Sequence, residues 1–149
     1  MVIEAHADDA ALWCGGLMLK WAGEGHRVIL VRATNDENDS VGLSREETAR
    51  LNREQLHQAA GLLAVAEVVD LDFQDAMLTD LARIPLRERL IHLYRLYRPY
   101  ATCTFDPYSV LYENNQDHLG SHQGRARRVG TGALTARGRP RSVDGHQQR

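Results

Sequence analysis

Four short apolar runs, at residues 2–5, 28–31, 68–71 and 101–105, alternate with longer stretches of helical character, and this alternation constrains the fold more than any other feature of the chain. Nearly continuous β-branched runs such as Val28-Ile29-Leu30-Val31 suit strands buried on both faces. The intervening segments carry helix punctuation. Gly23-Glu24-Gly25 resembles a glycine stop after residues 10–22, and Ser44 with Glu47 three positions on is a capping box opening a helix to about residue 63. Pro85 stands where a further helix, ending at about residue 97, would place its first residue. Strand and helix in this order predict an α/β chain, a Rossmann-like three-layer fold with a mostly parallel sheet.

Charge divides the chain at about residue 120. Residues 120–149 hold seven of the 18 Lys and Arg, six of the twelve Gly and a single acid, whereas residues 1–119 keep 11 basic and 19 acidic groups, a net of −8. The expected organisation is one domain over residues 1–119 and a basic Gly/Arg-rich tail over 120–149. The tail has too little apolar surface to offset its ordering entropy and is expected to be disordered, the alternative being a helix that continues past His118 for a turn or two. An acidic body argues against a nucleic-acid partner, which needs a clustered basic face. No stretch has the eighteen or so apolar residues of a membrane span, and no leader-like segment precedes the first run, so a cytoplasmic protein is expected. Cys14 and Cys103 lie in apolar stretches and read as small buried hydrophobes.

Open α/β sheets place ligands beyond the carboxyl ends of their strands. There, after the first run, stands Ala5-His6-Ala7-Asp8-Asp9, one imidazole and two carboxylates; Asp117-His118 follows the fourth run by way of a polar loop. The plainer reading makes Asp8 or Asp9 the N-cap of the next helix and His6 an ordinary polar residue. If the fold unites the two clusters, His6, Asp9 and His118 form a two-nitrogen, one-oxygen zinc site with Asp8 left over as a base. Asn35, Asp36, Asp106, Tyr112 and Glu113 lie on loops that could border a pocket, while Arg53 reads as part of a solvated helix face with Glu46 and Glu47. His26, His57, His92 and His146 have no metal spacing, and neither G-x-G-x-x-G nor a Walker lysine is present to suggest a nucleotide.

The series AHADDAALWCGG, a Gly-His pair before an apolar strand, a polar loop, TFDP and finally NQDH resembles the LmbE-like (PIG-L type) zinc-dependent N-deacetylase family, from Val2 to about His118. The commonest forms of that family's end motifs are AHPDDAE and HPDH, and its members normally continue past the last ligand with more strands and helices, so the resemblance implies a fold truncated at its C-terminal side. The resemblance implies zinc as cofactor, held by His6, Asp9 and His118, with Asp8 as general base and Asp117 orienting neighbouring groups. It implies hydrolysis of an N-acetyl group on an amino sugar or sugar conjugate, a small-molecule substrate; whether the chain forms a homo-oligomer is not legible. Asn115 replaces the usual His of the last motif. An amide can donate a hydrogen bond to an oxyanion, but it cannot protonate a leaving amine, so Asp8, Tyr112 or His122 would have to do so. Ala7 and Gln116 replace prolines, and Ala11 replaces a Glu. The alternative function is a catalytically silent relative that keeps the metal site and acts only in binding.

Overall fold

The computed structural model describes residues 1–80, 82–106 and 115–123. Its elements run β1 (Val2–Glu4), α1 (Asp9–Gly23), β2 (Ile29–Thr34), α2 (Arg45–Leu62), β3 (Glu67–Phe73), α3 (Arg83–Tyr97) and α4 (Gln116–Gln123). The strands form a parallel sheet in the order β1-β2-β3, with Val2 opposite Leu30 and Leu30 opposite Val68. Among the described residues, the fourth apolar run contributes a single parallel bridge, Cys103 to Val2, rather than a full strand. It still marks the neighbouring position, because Ile3 N–H donates to Cys103 O and Cys103 N–H to Met1 O.

Side-chain alternation sorts the core into two layers. Ile3, Ile29 and Val31 face α3, where Leu86 and Leu90 are completely buried; Val2, Leu30 and Val28 face Met18 of α1 and Leu56 and Ala60 of α2. Two helices on one face and one on the other make three layers, as the alternation of elements predicts. Each buried Leu or Ile contributes roughly 1.5–3 kcal/mol.

Local chemistry sets the helix ends. Ser44 and Glu47 form the complete capping box of α2, each side chain bonding the other's backbone. Pro85 is the third residue of α3 rather than the first, since Ala82 is the N-cap. The position tolerates proline for the same reason, an N–H in the first turn having no partner within the helix. The helix of the last motif, α4, begins at Gln116 and extends through Gln123, packing against α3 and β1.

This order creates a topological switch point. From β1 the chain moves outward to β2 and β3 over the face of α1 and α2, then returns by α3 on the opposite face to place residue 103 on the other side of β1. The two connections leave β1 in opposite directions, opening a crevice at the carboxyl ends of β1 and of the segment at 103. His6 and His118 come from the two sides of it.

Candidate metal centre

The crevice brings the two distant motifs together. His6 Nδ1 lies 3.2 Å from His118 Nε2, Asp9 Oδ1 lies 3.1 Å from the same His118 nitrogen, and Asp9 Oδ2 lies 3.5 Å from His6 Nδ1. Tetrahedral zinc with bonds of about 2.0–2.1 Å separates its ligand atoms by about 3.3–3.4 Å. The distances fall around that value, Asp9 facing His118 through Oδ1 and His6 through Oδ2, and one ligand atom from each of the three residues lies within 4.8 Å of the others. Two imidazole nitrogens with a carboxylate are a donor set zinc accepts. The residues present therefore fit such an ion.

Each of the three is held by its backbone setting. Asp9 opens α1 and is buried; its Oδ2 accepts N–H bonds from Ala5 at 3.2 Å and His6 at 2.8 Å, pinning the turn that carries the imidazole. Ala7, where the family's commonest form has proline, uses its N–H to reach the buried Asp36 Oδ2 at 2.9 Å, and Arg32 Nη1 donates to that same oxygen. His118 sits in the first turn of α4, its ring stacked on Phe105 with centroids 3.8 Å apart. Asn115 Oδ1 accepts from Asp117 N–H at 2.9 Å and His118 N–H at 3.4 Å, so this residue is the cap that starts α4. Its amide oxygen is committed to that role.

Asp117 ties α4 to the loop after β3. Its Oδ1 accepts from Leu78 N–H at 3.0 Å and its Oδ2 from Ala76 N–H at 2.6 Å. Close by, Asp75 carries a second carboxylate to the crevice: His6 Nε2 lies 3.4 Å from Asp75 Oδ1 and 3.5 Å from Asp117 Oδ2. His6, Asp75 and Asp117 thus form a second group with ligand-like spacing, sharing His6 with the first.

Electrostatics follow from this crowding. Burial disfavours a charged His6, yet hydrogen bonds to Asp117, Asp75 and Asp9 outweigh it and hold the imidazole pKa up at about 12. Burial likewise opposes ionisation of Asp9, but hydrogen bonds from His118 and His6 keep its carboxyl well below the usual range. Without a metal the cluster's negative charge gathers a proton; a divalent cation answers the same field. Asp8 differs from its neighbours. It is exposed at the N-cap position of α1, and its carboxylate makes no capping bond, so the plainer reading of it as a cap does not account for it.

Beside Asp9 and His118 opens a cavity of about 310 Å³, walled in part by Trp13, Phe105, Asp106 and Glu4. Burial pushes the Glu4 carboxyl up to about 8, against a hydrogen bond from Ala10 N–H. Cys14 and Cys103 also border it, half-buried, with their sulfurs 4.0 Å apart. Arg53 pairs with Asp70 and Asp72 of β3, a different partnership from the helix-face one its sequence position suggests. Tyr112, Glu113 and the side chain of His122 lie outside the described residues, as do residues 124–149.

A profile of the family described as PIG-L, GlcNAc-PI de-N-acetylase, matches residues 1–127. The chain belongs to this family. The diacetylchitobiose deacetylase of Thermococcus kodakarensis is 28% identical over 120 residues, which are 79% of this chain and 44% of that protein. The structure of N,N'-diacetylchitobiose deacetylase from Pyrococcus horikoshii, in complex with an inhibitor, superposes with a TM-score of 0.74 at 30% identity, over 80% of this chain and 45% of that one. GalB, the 4-carboxy-2-hydroxymuconate hydratase of Pseudomonas putida, shares the fold at 21% identity with a TM-score of 0.68, over 83% of this chain and 52% of that one. The chain spans less than half the length of both deacetylases.

Sequence reasoning missed Asp75. The signal was there, since the rule that drew attention to the ends of the first and fourth strands applies equally to β3, whose last residue is Phe73.

Proposed function

We propose that this chain is a metal-dependent N-deacetylase acting on an N-acetylated amino sugar or its conjugate, with His6, Asp9 and His118 as the ligands of a zinc ion. The observation that carries the reading is the meeting of three side chains from two motifs and two sides of the switch point, with His6 Nδ1 3.2 Å from His118 Nε2 and Asp9 facing His118 through Oδ1 at 3.1 Å and His6 through Oδ2 at 3.5 Å. Family membership and two relatives that are diacetylchitobiose deacetylases support an amide hydrolase over other uses of the fold. No helix among the described residues is long and apolar enough to cross a membrane.

A zinc ion there supplies Lewis acidity toward the amide carbonyl and lowers the pKa of a water from about 15.7 to roughly 7. The protein's own groups do the rest. Asp8, exposed at the N-cap position of α1 and making no capping bond, takes the proton from the attacking water. Asn115 has its Oδ1 fixed by the helix cap, so its Nδ2 hydrogens are what it offers to the oxyanion. An amide cannot protonate the departing amine; Asp8, carrying the abstracted proton, returns it. Asp117 acts through position, docking α4 so that His118 meets His6. The cavity beside Asp9 and His118 receives the substrate.

Acetate release from N,N'-diacetylchitobiose and N-acetylglucosamine, followed in the zinc-loaded protein and in Asp8→Asn, tests this. The expected result is turnover in the wild type and a loss of about 10²–10⁴-fold in Asp8→Asn with zinc retained. Zinc bound without any acetate release is what a silent binding relative would give, and it would overturn the proposal.

A further inference from the structure

His6 presents one ring nitrogen to Asp9 and His118 and the other to Asp75 and Asp117, and these last two carboxylates are not equivalent. Asp117 commits both oxygens to the loop after β3, through the N–H groups of Leu78 and Ala76. Asp75 accepts a long bond from Asn38 N–H on Oδ2, at 3.3 Å, and turns Oδ1 toward His6 Nε2. The Asp75 N–H is itself held by Asn35 Oδ1, so the loops after β2 and β3 jointly set where this carboxylate stands. It is nearly buried, with a side chain 11% exposed.

A neutral imidazole has one N–H and one lone pair. If Nδ1 faces an ion together with His118 and Asp9, its lone pair must be there and the hydrogen must be on Nε2. We propose that Asp75 is a positioning residue that accepts this Nε2 hydrogen and so fixes both the tautomer and the ring orientation of His6. The inference rests on the metal-site reading above and goes beyond it by dividing the two carboxylates: Asp117 anchors the loop, Asp75 serves His6. A second ion at His6, Asp75 and Asp117 is the competing use of the same group. It is disfavoured because one imidazole would have to give both lone pairs, and because Asp117's oxygens already accept backbone hydrogens.

The test titrates the full chain with zinc against a chromophoric chelator, for wild type, Asp75→Ala, the near-isosteric Asp75→Asn and His6→Ala. The wild type is expected to bind one zinc. Asp75→Ala should keep that stoichiometry with affinity about 10–100-fold weaker, and Asp75→Asn about tenfold weaker, since its amide oxygen accepts without charge. Long-range ¹H–¹⁵N spectra of the zinc-loaded protein supply a readout that general loosening would not reproduce. The wild type should show the His6 hydrogen on Nε2, slow to exchange; Asp75→Ala should lose that slow exchange and Asp75→Asn should keep only part of it, while the other histidine signals stay put. Unchanged affinity in a folded Asp75→Asn overturns this assignment alone, and two zinc ions per chain overturn it in favour of the second site. A folded wild type that binds no zinc overturns the metal-site reading and this inference together.

Discussion

His6 and Asn115 each do two things at once, and their substitutions separate local structure from chemistry. Asn115 caps α4 through Oδ1 while Nδ2 is the group proposed for the oxyanion. Asn115→Ala should therefore cost about 1 kcal/mol of stability from the lost cap and weaken zinc binding through His118. Asn115→Asp keeps the cap oxygen but removes the donor. It should unfold at close to the wild-type temperature while acetate release falls about 10²–10³-fold; equal losses of stability in the two variants would mean the cap is not what Asn115 provides. At this scale the sequence revealed residues whose type is rare at a strand end, such as His6, or whose motif carries a resemblance, such as His118. Asp75 and Asp36 were harder, because single acids in polar loops look like solvated turn residues. Their importance comes from contacts across the crevice, with His6 and with the Ala7 N–H, that no local pattern encodes.

At the scale of elements, α4 is positioned by a close approach. A Cβ added at Gly120 would stand 2.6 Å from Leu78 Cβ and 3.0 Å from the Leu78 carbonyl carbon, so the helix rests directly on the loop that Asp117 holds. Gly120→Ala should force α4 away, costing about 1–3 kcal/mol in thermal unfolding and reducing zinc affinity at the same time. A variant as stable as wild type with unaltered zinc binding would show that this packing does not place His118. Elements with strong local signals were legible: the Ser44 and Glu47 capping box marks the true start of α2, and the β-branched run at 28–31 lies within or beside β2. The run at 101–105 was legible as a neighbour of β1 but not in its extent. Strand length depends on how far two segments stay in register, and here the ladder amounts to the Cys103 bridge.

For the whole molecule, the reversal of direction at β1 is what turns two motifs into one site, since it leaves the ends of β1 and of the segment at 103 side by side. Alternating strands and helices announce a parallel sheet, but the order of its strands follows from which face each helix covers. That order was not readable from periodicity; the distant histidine was the hint. The acidic character of residues 1–119 gains a local meaning in the crevice, where Asp9, Asp75 and Asp117 surround one imidazole. Such a concentration of carboxylates invites a cation, and the claim that zinc is held jointly by both motifs is open to a direct measurement. Zinc content per folded chain should be one in the wild type and close to none in His6→Ala and in His118→Ala after dialysis against a weak chelator. Equal zinc content in all three proteins would contradict the account.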